Sequence, residues 1–276
     1  MSEITGLSGP LLLVGCGKMG GALLGGWLDQ GVAPDQVLVV EPALEGARSG
    51  VPAGVTVLAD ESGIPGDFAP AVVIFAVKPQ VMGDVVPPFG RFVGGGAVFL
   101  SIAAGTPIRF FEEALGAGAA IVRVMPNTPA AVRQGMSVLC ANTQADQNQQ
   151  DLCAGLMAAV GDTAWLTDES LMDAVTAVSG SGPAYVFHLI ECLAQAAVDV
   201  GLAPDLAARL ALQTVSGSGE LARQSDDTAA QLRINVTSPG GTTQAALEVL
   251  MGDGGLQSLM TAAVRVAEKR GRELGA

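Results

Sequence analysis

Short apolar runs, mostly of β-branched residues, recur through the first half of the chain. They occupy residues 11–14, 37–40, 72–77, 98–102 and 121–125. A strand that is buried on both faces of a sheet has this kind of sequence. Amphipathic or Ala-rich stretches, such as residues 20–30 and 107–115, separate the runs. The alternation predicts an α/β fold whose parallel sheet has right-handed crossovers, with residues 136–140 and 164–166 as further edge strands.

The pattern changes after Thr167. Residues 183–200 have no strand character and end at Gly201, which is a good helix stop, and Pro204 suits the first turn of a helix that reaches about Gln224. Apolar residues between 256 and 267 then recur at intervals of three and four, as on one face of a helix. We therefore expect an all-helical second domain at residues 166–276, after a first domain at residues 1–165.

Composition and charge exclude several classes of protein. Apolar residues make up 49% of the 276 residues and charged residues 15%, a balance typical of a folded chain. The 14 basic and 27 acidic residues give a net charge of −13, which argues against nucleic-acid partners and against anionic membrane surfaces. No apolar run is long enough for a membrane span, and no basic segment precedes the first apolar run as in a signal peptide.

The four cysteines indicate the cellular compartment of the protein, and the charge-poor helices indicate its oligomeric state. Cys16, Cys140, Cys153 and Cys192 form no CxxC pair, so neither a metal site nor a redox dithiol is expected, and a reducing cytoplasm suits them. A small helical domain rich in Ala and Leu cannot bury all its apolar faces alone. We expect it to form a homodimer or a larger homo-oligomer.

A glycine motif follows the first predicted strand. The segment Gly15-Cys16-Gly17-Lys18-Met19-Gly20 has the GxGxxG spacing between a strand and a helix, in the context that dinucleotide binding requires. Gly15 permits the tight turn, Gly17 lets a pyrophosphate approach the backbone, and Gly20 lets the helix pack on the strand. The first domain is therefore predicted to be a Rossmann-type dinucleotide-binding domain; the alternative is a glycine-rich turn without a ligand.

Two further strand ends carry residues suited to a nucleotide. Glu41 follows the second strand, where a carboxylate accepts hydrogen bonds from ribose hydroxyls and repels a 2′-phosphate. This favours NAD over NADP, although Arg48 is close enough in sequence to compensate. Lys78 follows the run 72–77 and is a candidate for contact with cofactor phosphate or ribose.

Five segments in this order resemble the pyrroline-5-carboxylate reductase family along nearly the whole chain. They are Ala76-Val77-Lys78-Pro79, Ser101-Ile102-Ala103-Ala104-Gly105, Met125-Pro126-Asn127-Thr128-Pro129, Ser179-Gly180-Ser181-Gly182-Pro183-Ala184-Tyr185 and Ser238-Pro239-Gly240-Gly241-Thr242-Thr243. The last of these is the most specific, because it belongs to the helical domain of that family.

The resemblance implies roles for individual residues. Those expected to bind the cofactor, NADPH or NADH, are Gly15, Cys16, Gly17, Lys18, Met19, Gly20, Glu41, Ala76, Val77, Lys78, Ile102, Ala103, Ala104 and Asn127. Those expected to bind the substrate are Asn235, Ser238, Gly241, Thr242, Thr243, Glu169 and Thr176. The family builds its site between the nucleotide domain of one subunit and helices exchanged across a dimer. The sequence Glu41-Pro42-Ala43 departs from the Ser or Asn followed by a basic residue of many members, which puts the usual NADPH preference in doubt.

The implied reaction is reduction of the cyclic imine 1-pyrroline-5-carboxylate to proline, the last step of proline biosynthesis. Residues 240–243 precede an apolar helical pattern, so their backbone N–H groups suit the substrate carboxylate, and Thr243 is the expected catalytic polar group. His188, the only histidine, has apolar sequence neighbours and is expected to be structural. The alternatives are another NAD(P)-dependent imine or β-hydroxyacid reductase, which the single lysine of the helical half disfavours, and a non-catalytic NAD-binding sensor.

Overall fold

The computed structural model describes residues 4, 6–43 and 51–275, which form two compact units. The first, called the sheet unit here, comprises Met1–Gly180 and Glu268–Ala276. The second, called the helical unit, comprises Ser181–Ala267. An α/β sheet region followed by a helical region is the predicted fold class, which is confirmed. The domain boundary at residue 165 stays a prediction.

The sheet unit contains one eight-stranded sheet in the order β3-β2-β1-β4-β5-β6-β7-β8. Its strands are β1 (Leu11–Val14), β2 (Val37–Val40), β3 (Thr56–Leu58), β4 (Val72–Phe75), β5 (Val98–Ser101), β6 (Ala120–Met125), β7 (Gly135–Ala141) and β8 (Gly161–Trp165). All neighbours are parallel except β6 and β7, which are antiparallel. The expectation that residues 136–140 form an edge strand is wrong, because β7 lies between β6 and β8.

Burial explains why these apolar runs form strands. Every residue of β1, β2, β4 and β5 is buried, as in a sheet covered on both faces. On one face the indole of Trp27 is buried and donates a 2.9 Å hydrogen bond to the carbonyl of Leu156. On the other face Phe75 packs against Phe89 and Phe111, with ring centroids 5.5 and 5.8 Å away. Two apolar layers therefore fix the sheet and the loops at its edge.

In the described chain, the helices that lie wholly within the sheet unit have 4 to 12 residues. They are α1 (Lys18–Asp29), α2 (Met82–Val85), α3 (Ile108–Leu115), α4 (Gln147–Ala158) and α5 (Met172–Val175). Six 3-10 helices accompany them in the described chain, at Pro34–Gln36, Glu61–Gly63, Pro79–Val81, Pro87–Phe92, Thr128–Val132 and Glu169–Leu171. A π-helical turn at Thr176–Gly180 ends this part of the chain.

The helical unit has a small core of its own. Its helices are α6 (Gly182–Asp199), α7 (Pro204–Gln224), α8 (Ala229–Asn235), α9 (Thr242–Leu250) and the first part of α10 (Leu256–Gly275), whose end belongs to the sheet unit. Among its described residues, only Ala207 and Ala211 are fully buried apolar side chains. Phe187, Leu259 and many other large apolar side chains are exposed. In the described chain, no helix combines the length and the apolarity that a membrane crossing requires.

Candidate cofactor and substrate site

The glycine loop joins β1 to α1, and its three glycines face different surroundings. Gly15 has a φ of +92°, and a Cβ there would lie 2.7 Å from Val77 Cγ1 and 2.8 Å from the carbonyl oxygen of Ala76. A Cβ on Gly20 would clash with the carbonyl oxygen of Gly15, whereas one on Gly17 would meet nothing within 4 Å. Gly15 and Gly20 are thus required by packing, and Gly17 borders open space.

The start of α1 fits the phosphates of a dinucleotide. Gly17 is the N-cap residue of this helix of 12 residues and provides no side-chain cap. The first N–H groups of a helix have no acceptor inside the helix, and its positive dipole end favours an anion. Lys18 is exposed beside them. The open space at Gly17 and the uncapped N–H groups therefore meet the requirements of a pyrophosphate.

Backbone hydrogen bonds bring the predicted cofactor segments together at the carboxyl edge of the sheet. The N–H of Gly15 donates to the carbonyl of Val40 at 2.8 Å, and the N–H of Ala76 donates to that of Val14 at 2.8 Å. The N–H of Ile102 donates to the carbonyl of Phe75 at 3.1 Å. The ends of β2, β1, β4 and β5 are thus adjacent, and the strand order reverses between β1 and β4. Open α/β sheets bind their ligands at such a point.

Glu41 contacts the glycine loop directly. Its Oε2 accepts a 2.8 Å hydrogen bond from the N–H of Cys16, and its Oε1 accepts one of 3.0 Å from the N–H of Ala43. Burial, and secondarily the Glu41 carboxylate, raise the pKa of the Cys16 thiol. The carboxylate thus holds the loop and places negative charge beside it. Arg48, the predicted compensating residue, lies outside the described residues.

Asn127 holds two segments in place. Its Nδ2 donates to the carbonyl oxygen and to the hydroxyl of Ser179, at 3.2 and 3.3 Å, and its Oδ1 accepts from the N–H of Met136 at 2.8 Å. The Asn127 side chain therefore fixes the turn after β6 to the π-helical turn and to β7. Lys78, three residues after the end of β4, is exposed.

Two residues predicted to bind substrate have structural partners in the sheet unit. Glu169 Oε1 accepts from Arg123 Nη1 at 2.8 Å and from the N–H of Ile108 at 2.8 Å. The Arg123 side chain is 7% exposed and that of Glu169 is 29% exposed, beside a cavity of about 600 Å³. The Thr176 hydroxyl donates to the carbonyl of Met172 at 2.9 Å. Arg123 was missed, although an arginine inside the apolar run 121–125 is itself a signal of a buried polar partner.

The other predicted substrate residues lie in the helical unit. Gly240 has a φ of +69°, and its N–H donates to Gln244 Oε1 at 2.7 Å. Gly241 is the N-cap residue of α9, a helix of 9 residues, and again provides no side-chain cap. Ser238 closes the preceding turn by accepting a 3.0 Å hydrogen bond from the N–H of Gly241 at its carbonyl. The segment therefore forms a turn followed by an uncapped helix start.

The remaining predicted substrate residues, Thr242, Thr243 and Asn235, differ in exposure and in hydrogen bonding. Thr243 is half-buried and Thr242 is exposed at the start of α9. Asn235 is already hydrogen bonded, since its Nδ2 donates to Asp227 at 3.1 Å and its Oδ1 accepts from Gln231 at 2.8 Å. Asn235 thus stabilises the end of α8 before the turn.

Comparison with known proteins decides the family. The chain is 39% identical to the pyrroline-5-carboxylate reductase of Pseudomonas aeruginosa, over 96% of this chain and 96% of the relative. It is 38% identical to that of Pisum sativum, over 95% and 94%. The chain belongs to the pyrroline-5-carboxylate reductase family.

Family models and solved structures agree with this assignment. Residues 169–274 match the model for pyrroline-5-carboxylate reductase dimerisation, and residues 11–105 match that for NADP oxidoreductase, coenzyme F420-dependent. The structure of the Coxiella burnetii reductase superimposes with a TM-score of 0.91 at 34% identity, covering 98% of this chain and 99% of that one. The Plasmodium falciparum reductase with NADP bound gives 0.82 at 29% identity, covering 98% and 99%.

Proposed function

We propose that this chain reduces 1-pyrroline-5-carboxylate to L-proline with NADPH or NADH, as the last step of proline biosynthesis. The observation that carries the proposal is similarity to curated reductases over the whole chain, which includes both the glycine loop and the turn before α9. When bound, the reduced nicotinamide supplies a hydride to the imine carbon. The residues of this chain then have three tasks, which are to hold the cofactor, to hold the substrate carboxylate and to orient the ring nitrogen.

Cofactor binding is assigned to residues at the carboxyl edge of the sheet. We assign the pyrophosphate to the N–H groups after Gly17, because the space beside this residue is open and the helix start is uncapped. The adenosine ribose is assigned to Glu41, whose charge disfavours a 2′-phosphate and so favours NADH. Residues 76–78, 102–104 and Asn127 are assigned to the remainder of the dinucleotide.

The substrate tasks are assigned to the turn and helix start at residues 238–243. The first N–H groups of α9 lack intrahelical acceptors, and a carboxylate supplies the acceptor that Gly241 does not. The half-buried Thr243 hydroxyl is assigned to the ring nitrogen, as an orienting hydrogen bond. Because such an imine is basic enough to arrive partly protonated, placement of the reacting carbon matters more than a strong acid.

The proposal also covers the oligomeric state and the cellular location of the protein. The exposed apolar side chains of the helical unit supply a surface for a homodimer or a larger homo-oligomer, as the matched dimerisation model also suggests. Four free cysteines suit the cytoplasm. The net charge of −13 argues against nucleic-acid partners and anionic membranes.

The test is a substrate panel assayed with NADH and then with NADPH. We expect rapid nucleotide oxidation with 1-pyrroline-5-carboxylate. Reverse assays with NAD and small β-hydroxyacids should be inactive. Turnover of a hydroxyacid, or nucleotide binding without turnover of any imine, would contradict the proposal and favour the two alternative classes.

A further inference from the structure

Arg133 has a backbone conformation that is unusual for its residue type. It lies in the β6–β7 connection, which comprises residues 126–134, directly after the 3-10 helix Thr128–Val132. Its φ is +60°, and among the described residues it is the only one other than glycine with a positive φ. The left-handed region crowds the Cβ of an L-residue, so such a position favours glycine. An arginine is stable here only if its side chain makes contacts that offset this cost.

The Arg133 side chain contacts helix α1, which begins at the glycine loop. Its Nη1 donates a 2.9 Å hydrogen bond to the carbonyl of Ala22, and its Nη2 donates one of 2.6 Å to Asp29 Oδ2. The Arg133 side chain is partly buried, whereas that of Asp29 is exposed. A Cβ on Gly25 would lie 3.1 Å from Nη2, so glycine at this helix position makes room for the guanidinium. Arg133 thus ties α1 to the β6–β7 connection.

Arg133 also supplies a charge that α1 itself lacks. The last turn of this helix contains no basic residue and ends at Asp29, and a carboxylate is unfavourable at the negative end of a helix dipole. The guanidinium neutralises this carboxylate from outside the helix. Four of the 12 residues of α1 are glycine, which is a weak helix former. The position of α1 therefore depends on contacts with other elements, of which Arg133 provides two.

Apolar packing holds the β6–β7 connection from the inside. Ala130 is fully buried in the same apolar layer as Leu23 and Trp27 of α1. A Cβ on Gly135 would lie 3.0 Å from the Cβ of Ala130 and 3.0 Å from the carbonyl oxygen of Val160. The connection is therefore packed between α1 and the start of β7, and Arg133 adds directed hydrogen bonds to this packing.

The β6–β7 connection lies at the edge of the sheet to which the dinucleotide is assigned. β6 is parallel to β5 and pairs with it up to Ser101 and Arg123, so the two strands end at the same edge. Glu41, assigned to the adenosine ribose, follows β2 on one side of β1, whereas β4, β5 and β6 lie on the other side. β6 is three strands from β1, or about 14 Å at the usual strand spacing. The nicotinamide half of the dinucleotide is therefore expected to extend towards the β6–β7 connection.

We propose that Arg133 is a positioning residue, which fixes the β6–β7 connection relative to the pyrophosphate-binding start of α1. The inference rests on the proposed function for the identity of the nucleotide. A ligand that spans α1 and the connection gains affinity when the two are held in place beforehand, because less order has to be created on binding. A ligand that occupies only the α1 side gains nothing from Arg133.

The test compares two ligands by calorimetric titration of the full-length protein. NADH spans the whole site, whereas ADP-ribose has the same pyrophosphate and riboses but lacks the nicotinamide. Arg133→Gly retains the backbone conformation, because glycine adopts a positive φ without strain, and loses both contacts to α1. The Kd for NADH should rise about fivefold, the size expected for a partly exposed charge-assisted hydrogen bond, and that for ADP-ribose should change by less than about twofold.

Two variants and a melting experiment separate positioning from a general structural role. Asp29→Asn removes the exposed ion pair but leaves the bond to Ala22, so its Kd for NADH should change by less than about twofold. Arg133→Lys keeps the charge without the forked geometry and should lie between wild type and Arg133→Gly. The Tm of Arg133→Gly should stay within about 3 °C of wild type, because relief of the left-handed conformation offsets the lost contacts.

The ratio of the two Kd values decides the outcome. An unchanged ratio in Arg133→Gly, whether both Kd values rise or neither does, would overturn the proposal. Binding is measured without an imine, so the result is separate from that of the reductase assay. A wild-type protein that binds NADH but forms no proline would contradict the proposed function and leave the effect of Arg133 on the ratio measurable.

Discussion

Alanine substitutions in the glycine loop give the sharpest prediction, because one should weaken nucleotide binding and another should lower stability. A methyl group at Gly17 meets no atom of the described chain, and the φ of −71° there is open to alanine. Gly17→Ala should therefore cost about 1 kcal/mol of folding free energy or less, the difference between Gly and Ala at an N-cap. The same methyl would occupy the space assigned to the pyrophosphate.

Gly17→Ala is expected to weaken binding of the dinucleotide. Losing one charge-assisted hydrogen bond costs about 1.5–3 kcal/mol, so the Kd for the dinucleotide should rise about tenfold to a hundredfold. Gly20→Ala should instead lose stability, because its methyl clashes with the carbonyl oxygen of Gly15. Overpacking of this kind costs about 2–3 kcal/mol, which lowers Tm by about 5–10 °C in a chain of this size.

Gly21→Ala is the matched control. Gly21 lies in α1, and a Cβ there also meets nothing within 4 Å. This variant should bind nucleotide normally and gain about 0.5–1 kcal/mol of stability, because alanine is the better helix former. Calorimetric titration measures the Kd, and thermal melting followed by circular dichroism measures Tm. Wild-type affinity in Gly17→Ala, or equal stability of Gly20→Ala and Gly21→Ala, would refute the reasoning.

Three further predictions concern single side chains. Glu41→Gln keeps an acceptor for the loop N–H but removes the charge, so the ratio of kcat/KM for NADPH to that for NADH should rise about tenfold in steady-state assays; an unchanged ratio would mean that the carboxylate does not sense the 2′-phosphate. Arg123→Met removes the cationic partner of the Glu169 carboxylate and should lower Tm by about 4–8 °C, whereas Asp29→Asn, which breaks an exposed ion pair, should shift Tm by less than about 2 °C. Thr243→Ala should lower kcat/KM about 10–30-fold while Thr242→Ala loses less; a loss of several thousandfold would make Thr243 an obligatory acid.

The strands of the sheet could be predicted where both faces are buried, because such a strand has a continuous apolar sequence. β1 and β2 have the predicted bounds because all their residues are buried. β3 was missed because Thr56–Leu58 is short and partly exposed, which weakens the apolar signal. The direction of β7 was also missed, although the short connection at residues 126–134 is a signal for it, since a parallel crossover needs a dozen residues or more.

The backbone geometry of the candidate site could be predicted from the sequence, whereas the hydrogen-bond partners of its side chains could not. Glycine spacing located the loop, because a positive φ restricts Gly15 to glycine and close approach of the backbone restricts Gly20. Glu169 was assigned to the substrate from the family resemblance, and the sequence does not reveal that Arg123 faces it from β6. His188 was expected to be structural because its sequence neighbours are apolar, but neighbours i±1 on a helix lie on other faces, and the His188 side chain is 74% exposed.

The central claim is that the chain converts 1-pyrroline-5-carboxylate to proline at the expense of a reduced nicotinamide. The most direct measurement incubates the purified protein with this imine and NADH, or NADPH, and quantifies both the nucleotide oxidised and the proline formed by amino-acid analysis. The account predicts one proline per nucleotide oxidised, with rates at low nucleotide concentration lower in Gly17→Ala and unchanged in Gly21→Ala. Nucleotide binding without proline formation would contradict it.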